Sequence, residues 1–439
     1  MSSPLQKWIE SRTKGKQIAL LSVCSSNRLV IEACMEFMRR EQVEICFEST
    51  ANQVDQNGGY SGMRPIDYAR MIRKTAVQLG VRTESVLMGG DHLGPLTWRS
   101  EREHVAMQKA VELVRAYVLA GYSKIHIDTT MSLDGDDPAM PLPLETIARR
   151  TAVLIQAAED SFGLLPKDRQ SDLPLFYIIG SDVPVPGGAR DEQEHIDITT
   201  REHAKESLEA FRHAFIDSDL ANAWERVVAM VVQPGVEFDG SHVFAYSREA
   251  AASLTGLLTE YPGLVFEGHS TDYQTRECLC RMVEDGIAVL KVGPALTFAL
   301  REALFGLSAI ESEIVQRVPA PSRFRDVLEE EMLRNPSYWR SHYIGTEAEL
   351  QYMRAFSLLD RSRYYLMDSR VEEARRQLFC NLDREGIPMA LVSQYFPVQY
   401  RKVRDGLLPL DAMSLAKDAV QEVLEDYRSA VQPTGSNIR

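Results

Sequence analysis

The stretch "SVLMGGDHLGPLTWRSEREHVAMQKAVELVRAYVLAGYSKIHIDTT", residues 85–130, decides the fold. It begins with a short apolar run and continues through a segment whose apolar residues recur at helical spacing. It ends in a second β-rich run, "KIHIDTT", from residue 124. Parallel strands need a crossover connection, and a helix of this length supplies one. The stretch therefore predicts one strand–helix–strand unit of a parallel sheet.

The same alternation recurs along the chain. Helical segments rich in Ala, Leu, Glu and Arg, such as "PLETIARRTAVLIQAAED", separate the strand candidates. The strand candidates begin at residues 17, 43, 85, 124, 174, 227, 263 and 286. Eight such units predict an α/β fold of the (β/α)8 TIM-barrel class. The alternative is a doubly wound open sheet, which would carry a glycine-rich phosphate loop after its first strand, and "SVCSSNRLV" contains none.

From about Pro319 the pattern changes to helices alone. Two segments, "YYLMDSRVEEARRQLFCNL" and "LDAMSLAKDAVQEVLEDYRSAV", have helical spacing without intervening strands. We therefore predict two regions: a barrel over residues 1–318 that carries the active site, and a helical C-terminal extension over residues 319–439 packed on it.

Composition excludes several classes of partner. The 439 residues contain 49 Lys and Arg against 63 Asp and Glu, a net charge of -14, and no basic block offsets this acidity. We expect no nucleic-acid partner, because such proteins present clustered positive charge. We also expect no membrane partner, and a cytoplasmic location, because the sequence has no secretory h-region or membrane-length apolar run. The six cysteines fit neither a disulfide framework nor a paired zinc motif.

Polar residues stand at the C-terminal end of every predicted strand, which is where TIM barrels place their active sites. In chain order they are Cys24, Ser25, Glu48, Thr50, Asp91, His92, His126, Asp128, Ser181, Asp182, Gln233, Glu237, Glu267, His269 and Lys291. Residues two apart share one face of a strand, so His126 with Asp128, and Glu267 with His269, can project into one space.

Each of these residues alone has a structural interpretation, as a cap, a core histidine or an ion pair. Together they are costly to bury unless they bind a metal or a polar ligand. Histidine with carboxylate suits zinc, with manganese or magnesium as alternatives. We predict His92, His269 and Glu267 as metal ligands, with Asp128 next in order. We predict catalytic roles for Asp91, Glu48, Asp128 and Lys291.

Two glycine-bearing loops, "NGGYSGM" at 57–63 and "VPVPGGAR" at 183–190, could cradle a substrate phosphate, although tight turns are the favoured interpretation. We predict substrate contacts from Asn52, Gln53, Gly58, Gly59 and Gln233. Lys291 could form a Schiff base with a ketone, but an ion-pair role is favoured. No nucleotide motif is present, so we expect no nucleotide cofactor.

Several motifs together resemble the GatZ/KbaZ family of bacterial galactitol and tagatose metabolism. They are "SVCSSNRLVIEA", "ESTANQV", "QNGGYSGMRP", "GGDHLGP", "SKIHIDTTMS", "VPVPGGA", "VVQPGVEFD", "EGHSTDYQTR", "LKVGPALTFALREA" and "VSQYFP". The resemblance implies a relative of the class II, metal-dependent aldolases. Family members have been labelled tagatose-6-phosphate kinases, regarded as non-catalytic aldolase subunits, or understood as 4-epimerases. "ESTANQV" and "IDTTMS" depart slightly from the family pattern but keep the ionisable side chains.

Chemistry separates these activities. The hydrogen on C4 of a 2-ketose is not acidic, so inversion there requires either oxidation or cleavage and re-formation of the C3–C4 bond. The second route needs only a metal and an acid–base group. The "DH" of "GGDHLGP" resembles the aldolase pairing of a proton-shuttling acid, Asp91, with a metal-binding histidine, His92. We therefore expect a metal-dependent 4-epimerase, an isomerase, that interconverts D-tagatose 6-phosphate and D-fructose 6-phosphate in galactitol and tagatose catabolism.

The alternative function is a non-catalytic subunit that supports a class II D-tagatose-1,6-bisphosphate aldolase. The expected partners are a small sugar phosphate, further copies of the chain in a homo-oligomer and, under this alternative, the aldolase catalytic subunit.

Overall fold

Eight parallel strands close into a barrel in the computed structural model, which describes residues 4–137, 139–183, 188 and 196–432. The described residues form ten strands in all, eight in the barrel and two in a separate hairpin: β1 (Leu20–Cys24), β2 (Ile45–Thr50), β3 (Leu87–Leu93), β4 (Lys124–Ile127), β5 (Phe176–Ile179), β6 (Val227–Val232), β7 (Glu237–Phe238), β8 (Val243–Phe244), β9 (Val265–Gly268) and β10 (Ile287–Val292). The barrel order is β1-β10-β9-β6-β5-β4-β3-β2, and β7 pairs with β8 in an antiparallel hairpin. The (β/α)8 barrel is therefore confirmed.

One predicted strand is in fact two. The run "VVAMVVQPGVEF" contains β6, a turn and then β7. Pro234 has no N–H to donate to a strand ladder, and Gly235 adopts a positive φ of 86°. The side-chain oxygen Oε1 of Gln233 accepts hydrogen bonds from the backbone amides of Gly235 and Val236, each at 2.9 Å, which stabilises the break.

Helices surround the barrel and form the C-terminal region. They are α1 (Pro4–Thr13), α2 (Arg28–Glu41), α3 (Pro65–Gln78), α4 (Glu103–Ala120), α5 (Leu144–Gly163), α6 (Lys167–Asp172), α7 (Arg201–Asp217), α8 (Ala221–Trp224), α9 (Arg248–Thr255), α10 (Arg276–Glu284), α11 (Pro294–Glu313), α12 (Phe324–Arg334), α13 (Glu347–Phe356), α14 (Ser369–Glu385), α15 (Met389–Tyr395), α16 (Pro397–Arg404) and α17 (Ala412–Val431). Among the described residues, no helix is both long enough and apolar enough to span a membrane.

Helix α1 packs on the apolar residues inside the barrel. Its Leu5 and Trp8 are buried against inward-facing residues that include Leu20 and Leu87. The Trp8 indole donates a hydrogen bond to the Ile18 carbonyl at 3.2 Å, which ties the helix to the chain entering β1. Leu20 and Leu87 are the first residues of their strands, so this apolar layer lies toward the N-terminal ends. The polar strand ends lie at the opposite end.

The C-terminal region is helical, as expected, and it packs on the barrel helices. Lys417 of α17 lies 2.9 Å from carboxylate oxygens of both Glu32 and Glu36 on α2. A connecting stretch, residues 357–367, runs across the C-terminal end of the barrel, and we name it the capping segment. It is tied there by the Leu358 amide, which donates to Gly240 at 3.0 Å. The domain boundary at residues 318 and 319 stays a prediction.

Candidate active site

Three buried imidazoles meet at the C-terminal ends of the strands. The ring centroids of His92, His126 and His269 lie 4.9–5.3 Å apart, each pair edge to face. One ligand atom from each of these histidines and from Asp91 all lie within 4.8 Å of one another. This cluster, Asp91, His92, His126 and His269, is called the histidine cluster below.

Glycines in "GGDHLGP" make room for the site. A Cβ on Gly89 would lie 2.8 Å from the Glu48 side chain, and a Cβ on Gly94 would overlap the Asp128 carbonyl oxygen. These positions therefore require glycine so that β2 and β4 can approach β3. His92 itself adopts a left-handed φ of 48°, a conformation that costs of order 1–3 kcal/mol and concentrates at functional sites. The strand register between β3 and β4 is interrupted at the same point.

A carboxylate is hydrogen-bonded to one nitrogen of each imidazole. The Nδ1 atoms of His92 and His126 lie 2.8 Å from Asp128 and Asp91, respectively. The Nε2 atom of His269 lies 3.0 Å from Glu267. The other ring nitrogen of His126, Nε2, is buried and has no hydrogen-bond partner among the described residues. Carboxylates paired in this way orient histidines that bind metals.

Two of the imidazoles, those of His126 and His269, are held in the neutral form that binds metals. Burial and, to a smaller extent, the positive charge of Lys291 lower the pKa of His269 to about 3. Burial also lowers the pKa of His126, although Asp91 opposes this effect. Burial opposes ionisation of Asp128, yet the hydrogen bond and charge of His92 bring its pKa down to about 2. Neutral imidazole beside ionised carboxylate is the combination that a divalent cation requires.

A buried ion network lies next to the histidine cluster. The Lys124 ammonium bridges Glu48 and Glu267 at 2.6 and 2.7 Å. The Lys291 ammonium contacts Asp91 and lies 3.5 and 3.6 Å from Glu48 and Glu267. Each charge therefore has a partner, as buried charges require.

Lys291 is held as an ammonium. Burial opposes its charge, but Asp91, Cys24, Glu48 and Glu267 together raise the pKa of Lys291 well above its usual range. A Schiff base needs the neutral amine, so this environment favours the ion-pair interpretation. Cys24 lies beside the same network, with its thiol 3.3 Å from Glu48, and Cys24, Glu48 and Asp91 form a second group that could hold a cation.

Lys124 was not predicted from the sequence, although it lies two residues before His126 and so shares its inward face. Replacing it with Met should lower the free energy of unfolding by about 3 kcal/mol, because Glu48 and Glu267 would remain buried without their bridging cation. The matched control is Lys109→Met, which breaks a half-exposed pair with Glu101 and should cost about 0–1 kcal/mol. Urea denaturation of both variants measures the difference. Equal losses would contradict the bridging role.

A pocket of about 100 Å³ opens on the histidine cluster. It is lined by Cys24, Thr50, Asn52, Gln53, Tyr60, Asp91, His92, Phe238, His269, Ser270, Asp272, Lys291, Val292, Gly293, Pro294, Arg363 and Tyr364. Asn52 and Gln53, two of the residues predicted to contact substrate, therefore line this pocket.

Other predicted substrate residues lie elsewhere. Gly58, Gly59 and Gln233 do not line this pocket. The backbone amides of residues 57–63 all donate to oxygens of residues 52–61, and the Asp55 carboxylate accepts two of them. Gly59 is required there because a Cβ would lie 2.5 Å from the Gln53 carbonyl oxygen. These amides already have acceptors within the loop, which favours the tight-turn interpretation over a phosphate cradle.

The second glycine loop, "VPVPGGAR", lies mostly outside the described residues. Within its described part, Gly188 lies close to Leu359 and Phe238. At the end of β5, the Ser181 hydroxyl bonds to that of Ser207 and the Asp182 carboxylate accepts from Thr199, so both side chains have structural partners.

Tyr60, Arg363 and Tyr364 line the pocket although none of them follows a barrel strand directly. The Tyr60 ring packs edge to face on Tyr364, with centroids 4.7 Å apart, and Tyr364 stacks on Tyr338 at 4.9 Å. A search for polar residues at strand ends does not find these three residues, because Tyr60 lies ten residues after β2 and the other two belong to the capping segment. The only signal available was the aromatic and basic composition of "RSRYYLM".

A closed parallel barrel with a histidine–carboxylate cluster at its strand ends defines a TIM barrel with a candidate metal site. A family model described as D-tagatose-1,6-bisphosphate aldolase subunit GatZ/KbaZ-like matches residues 5–432. The chain belongs to this family.

Three solved structures are similar to this chain to different degrees. A protein described as a probable tagatose 6 phosphate kinase from Sinorhizobium meliloti 1021 is 40% identical, with a TM-score of 0.84 over 94% of this chain and 100% of that one. The YdjI aldolase from Escherichia coli K12 is 11% identical, with a TM-score of 0.43 over 71% of this chain and 88% of that one. The fructose-bisphosphate aldolase from Campylobacter jejuni is 13% identical, with a TM-score of 0.43 over 87% and 92%.

Proposed function

We propose that this chain is a metal-dependent 4-epimerase that interconverts D-tagatose 6-phosphate and D-fructose 6-phosphate. The observation that carries the proposal is the histidine cluster, in which Asp91 lies beside three buried imidazoles and a buried nitrogen of His126 has no hydrogen-bond partner in the part of the chain that the structure describes. The family description and the similar Sinorhizobium meliloti protein both name tagatose phosphates, which supports this substrate class.

The residues present fit a divalent cation. His92, His126 and His269 would hold it, and zinc suits three imidazoles with an open position. Of the ligands expected from sequence, His92 and His269 remain in this proposal, whereas Glu267 is paired with Lys124 and His126 takes its place. When bound, the cation supplies positive charge that stabilises the negative charge left on a three-carbon fragment.

Asp91 is the group placed to accept a proton. Burial opposes its ionisation, but His92, Lys291 and the hydrogen bond from His126 hold the pKa of Asp91 well below its usual range. As a carboxylate, it takes the proton of the C4 hydroxyl while the C3–C4 bond breaks. The products are a dihydroxyacetone carbanion and glyceraldehyde 3-phosphate.

Re-forming the same bond completes the reaction. The aldehyde rotates so that its opposite face meets C3, the electron pair on C3 attacks C4, and Asp91 returns the proton to the new C4 oxygen. No atom or electron is lost, and only the configuration at C4 changes. Lys291 and Glu48 hold Asp91 in position, while Asn52 and Gln53 lie in the pocket wall to contact substrate hydroxyls.

A second function is favoured by the family description, which names an aldolase subunit. Under this alternative the chain has no turnover of its own and stabilises a class II D-tagatose-1,6-bisphosphate aldolase. The two functions differ in what the purified chain does alone.

We expect the purified chain, supplied with zinc and no partner, to form fructose 6-phosphate from tagatose 6-phosphate. A coupled assay through glucose 6-phosphate measures this, and Asp91→Asn provides the matched control. If the chain is inert with ketohexoses and their phosphates, yet raises the activity or half-life of a separate class II aldolase, the subunit function replaces the epimerase.

A further inference from the structure

We propose that Arg363 binds the anionic group at the end of the substrate remote from the carbonyl, which is the 6-phosphate of a ketohexose phosphate. This inference rests on the proposed function and adds a residue from the C-terminal region to the site. Its basis is a guanidinium that lines the pocket and has no carboxylate within ion-pair distance among the residues that the structure describes.

The capping segment fixes Arg363 over the barrel. The Leu358 carbonyl accepts the Tyr273 hydroxyl at 2.7 Å, and the Leu358 amide donates to Gly240 at 3.0 Å. The carboxylate of Asp360 accepts hydroxyls from Thr297 of α11 and from Ser362. These bonds join the capping segment to the loops after β6 and β9 and to the helix after β10, so Arg363 is held by the barrel.

Neutral oxygens accept the hydrogen bonds of Arg363. The guanidinium donates to the Leu359 and Asp360 carbonyls and to the Tyr364 hydroxyl at 3.1 Å. Among the described residues, no carboxylate oxygen lies within 4.0 Å of it in an ion pair, whereas Lys291 contacts Asp91. Arg363 is thus a pocket-lining cation whose charge is available to a ligand.

Arg363 remains charged in this setting. Burial would lower its pKa, but Tyr364 and Asp360 raise it above its usual range. A planar guanidinium presents paired donors that match two oxygens of a phosphate, and such charge-assisted bonds are about twice as strong as neutral ones.

The usual phosphate position of a TIM barrel is already occupied. Phosphates commonly bind near the last two strands, at a helix N-terminus. Here Asp272 accepts the amides of Gly293 and Ala295, at 3.0 and 2.7 Å, at the start of α11. A carboxylate therefore satisfies the donors that would hold a phosphate. Because Lys291 in the same pocket is paired with Asp91, Arg363 is the cation that we assign to the phosphate.

The test compares ligands that differ only in the anionic group. D-glucitol 6-phosphate lacks the carbonyl and is not cleaved. D-glucitol is the same molecule without the phosphate and carries no charge. Calorimetry on the full chain should show that Arg363→Gln weakens binding of the phosphate about 10- to 100-fold. The fold-loss of affinity for glucitol in Arg363→Gln should be at least about tenfold smaller than the fold-loss for the phosphate. Arg363→Lys should recover part of the affinity for the phosphate. The matched control is Arg340→Gln, an exposed arginine outside the pocket.

A hexonate with a carboxylate at C6 distinguishes a phosphate site from a carboxylate site, and tighter binding of the hexonate than of the phosphate would overturn the phosphate assignment. Equal losses for glucitol and its phosphate, no loss, or no binding by the wild type would overturn the proposal. Thermal melts confirm that each variant is folded. If the chain prefers the phosphate, loses that preference in Arg363→Gln and yet shows no turnover, only the epimerase function is overturned. If the chain turns over substrate but Arg363→Gln keeps the phosphate preference, only the role of Arg363 is overturned.

Discussion

Replacing Asp91 with Asn is expected to lower kcat by about 10²- to 10⁴-fold while the fold and the bound metal are retained. Asparagine has the size of aspartate, and its carbonyl oxygen can still accept the hydrogen bond from His126, 2.8 Å away in the wild type. It cannot take a proton from the C4 hydroxyl. The loss should therefore fall on turnover and leave metal content unchanged.

Two comparisons make this result specific. Asp405→Asn, which alters an exposed carboxylate paired with Arg404, should leave turnover unchanged. His92→Ala should lose metal, because removal of one of three imidazoles leaves the ion weakly held. Near-normal turnover in Asp91→Asn would contradict the proton-transfer role, and loss of metal from that variant would make Asp91 a ligand.

Removal of the metal is expected to reduce turnover to the level without enzyme, and zinc should restore it. The reason is that, among the described residues, both lysines near the reacting atoms are paired with carboxylates, so neither ammonium is free to stabilise the three-carbon fragment. Dialysis against a chelator, followed by zinc, manganese or magnesium, measures this with one protein preparation. Full activity in the chelator, together with borohydride trapping on Lys291, would replace the metal mechanism with a Schiff base.

His126→Ala tests which residues form the ligand set. His126 is expected to bind the metal because its Nε2 atom is buried and has no hydrogen-bond partner within the described ranges of the chain. Glu267 is expected to act through Lys124 and His269, so Glu267→Gln should retain more metal than His126→Ala. Metal analysis of the two purified variants provides the comparison.

The barrel could be predicted because its signal is local and repeated. Each strand candidate is a short apolar run followed by a helix, and the polar residues at the strand ends converge once the barrel closes. Asp91, His92 and His269 were therefore found from sequence, and they do lie together.

The partners within the site could not be predicted, because chain order carries no distances. Glu267 and His126 were both visible at strand ends, yet only the folded chain shows that Lys124 pairs with Glu267 while a nitrogen of His126 stays free. Gly58 and Gly59 looked suited to phosphate, but the Asp55 carboxylate and nearby carbonyls take the amides of that loop.

The contribution of the C-terminal region to the pocket also could not be predicted from the sequence. Arg363 and Tyr364 lie in a short 3-10 helix between α13 and α14, where the described part of the chain has no strand, and they reach the pocket because the capping segment crosses the barrel. A long-range contact of this kind leaves no periodic pattern in the chain.

Under the proposed function, this chain inverts C4 by breaking and re-forming the C3–C4 bond. The most direct measurement is a carbon-13 spectrum of zinc-loaded protein incubated in D2O with tagatose 6-phosphate labelled with carbon-13 at C4. We expect the label at C4 of fructose 6-phosphate with its original hydrogen still attached, because that hydrogen stays on the aldehyde fragment throughout. Absence of fructose 6-phosphate, or deuterium at the labelled carbon, would contradict it.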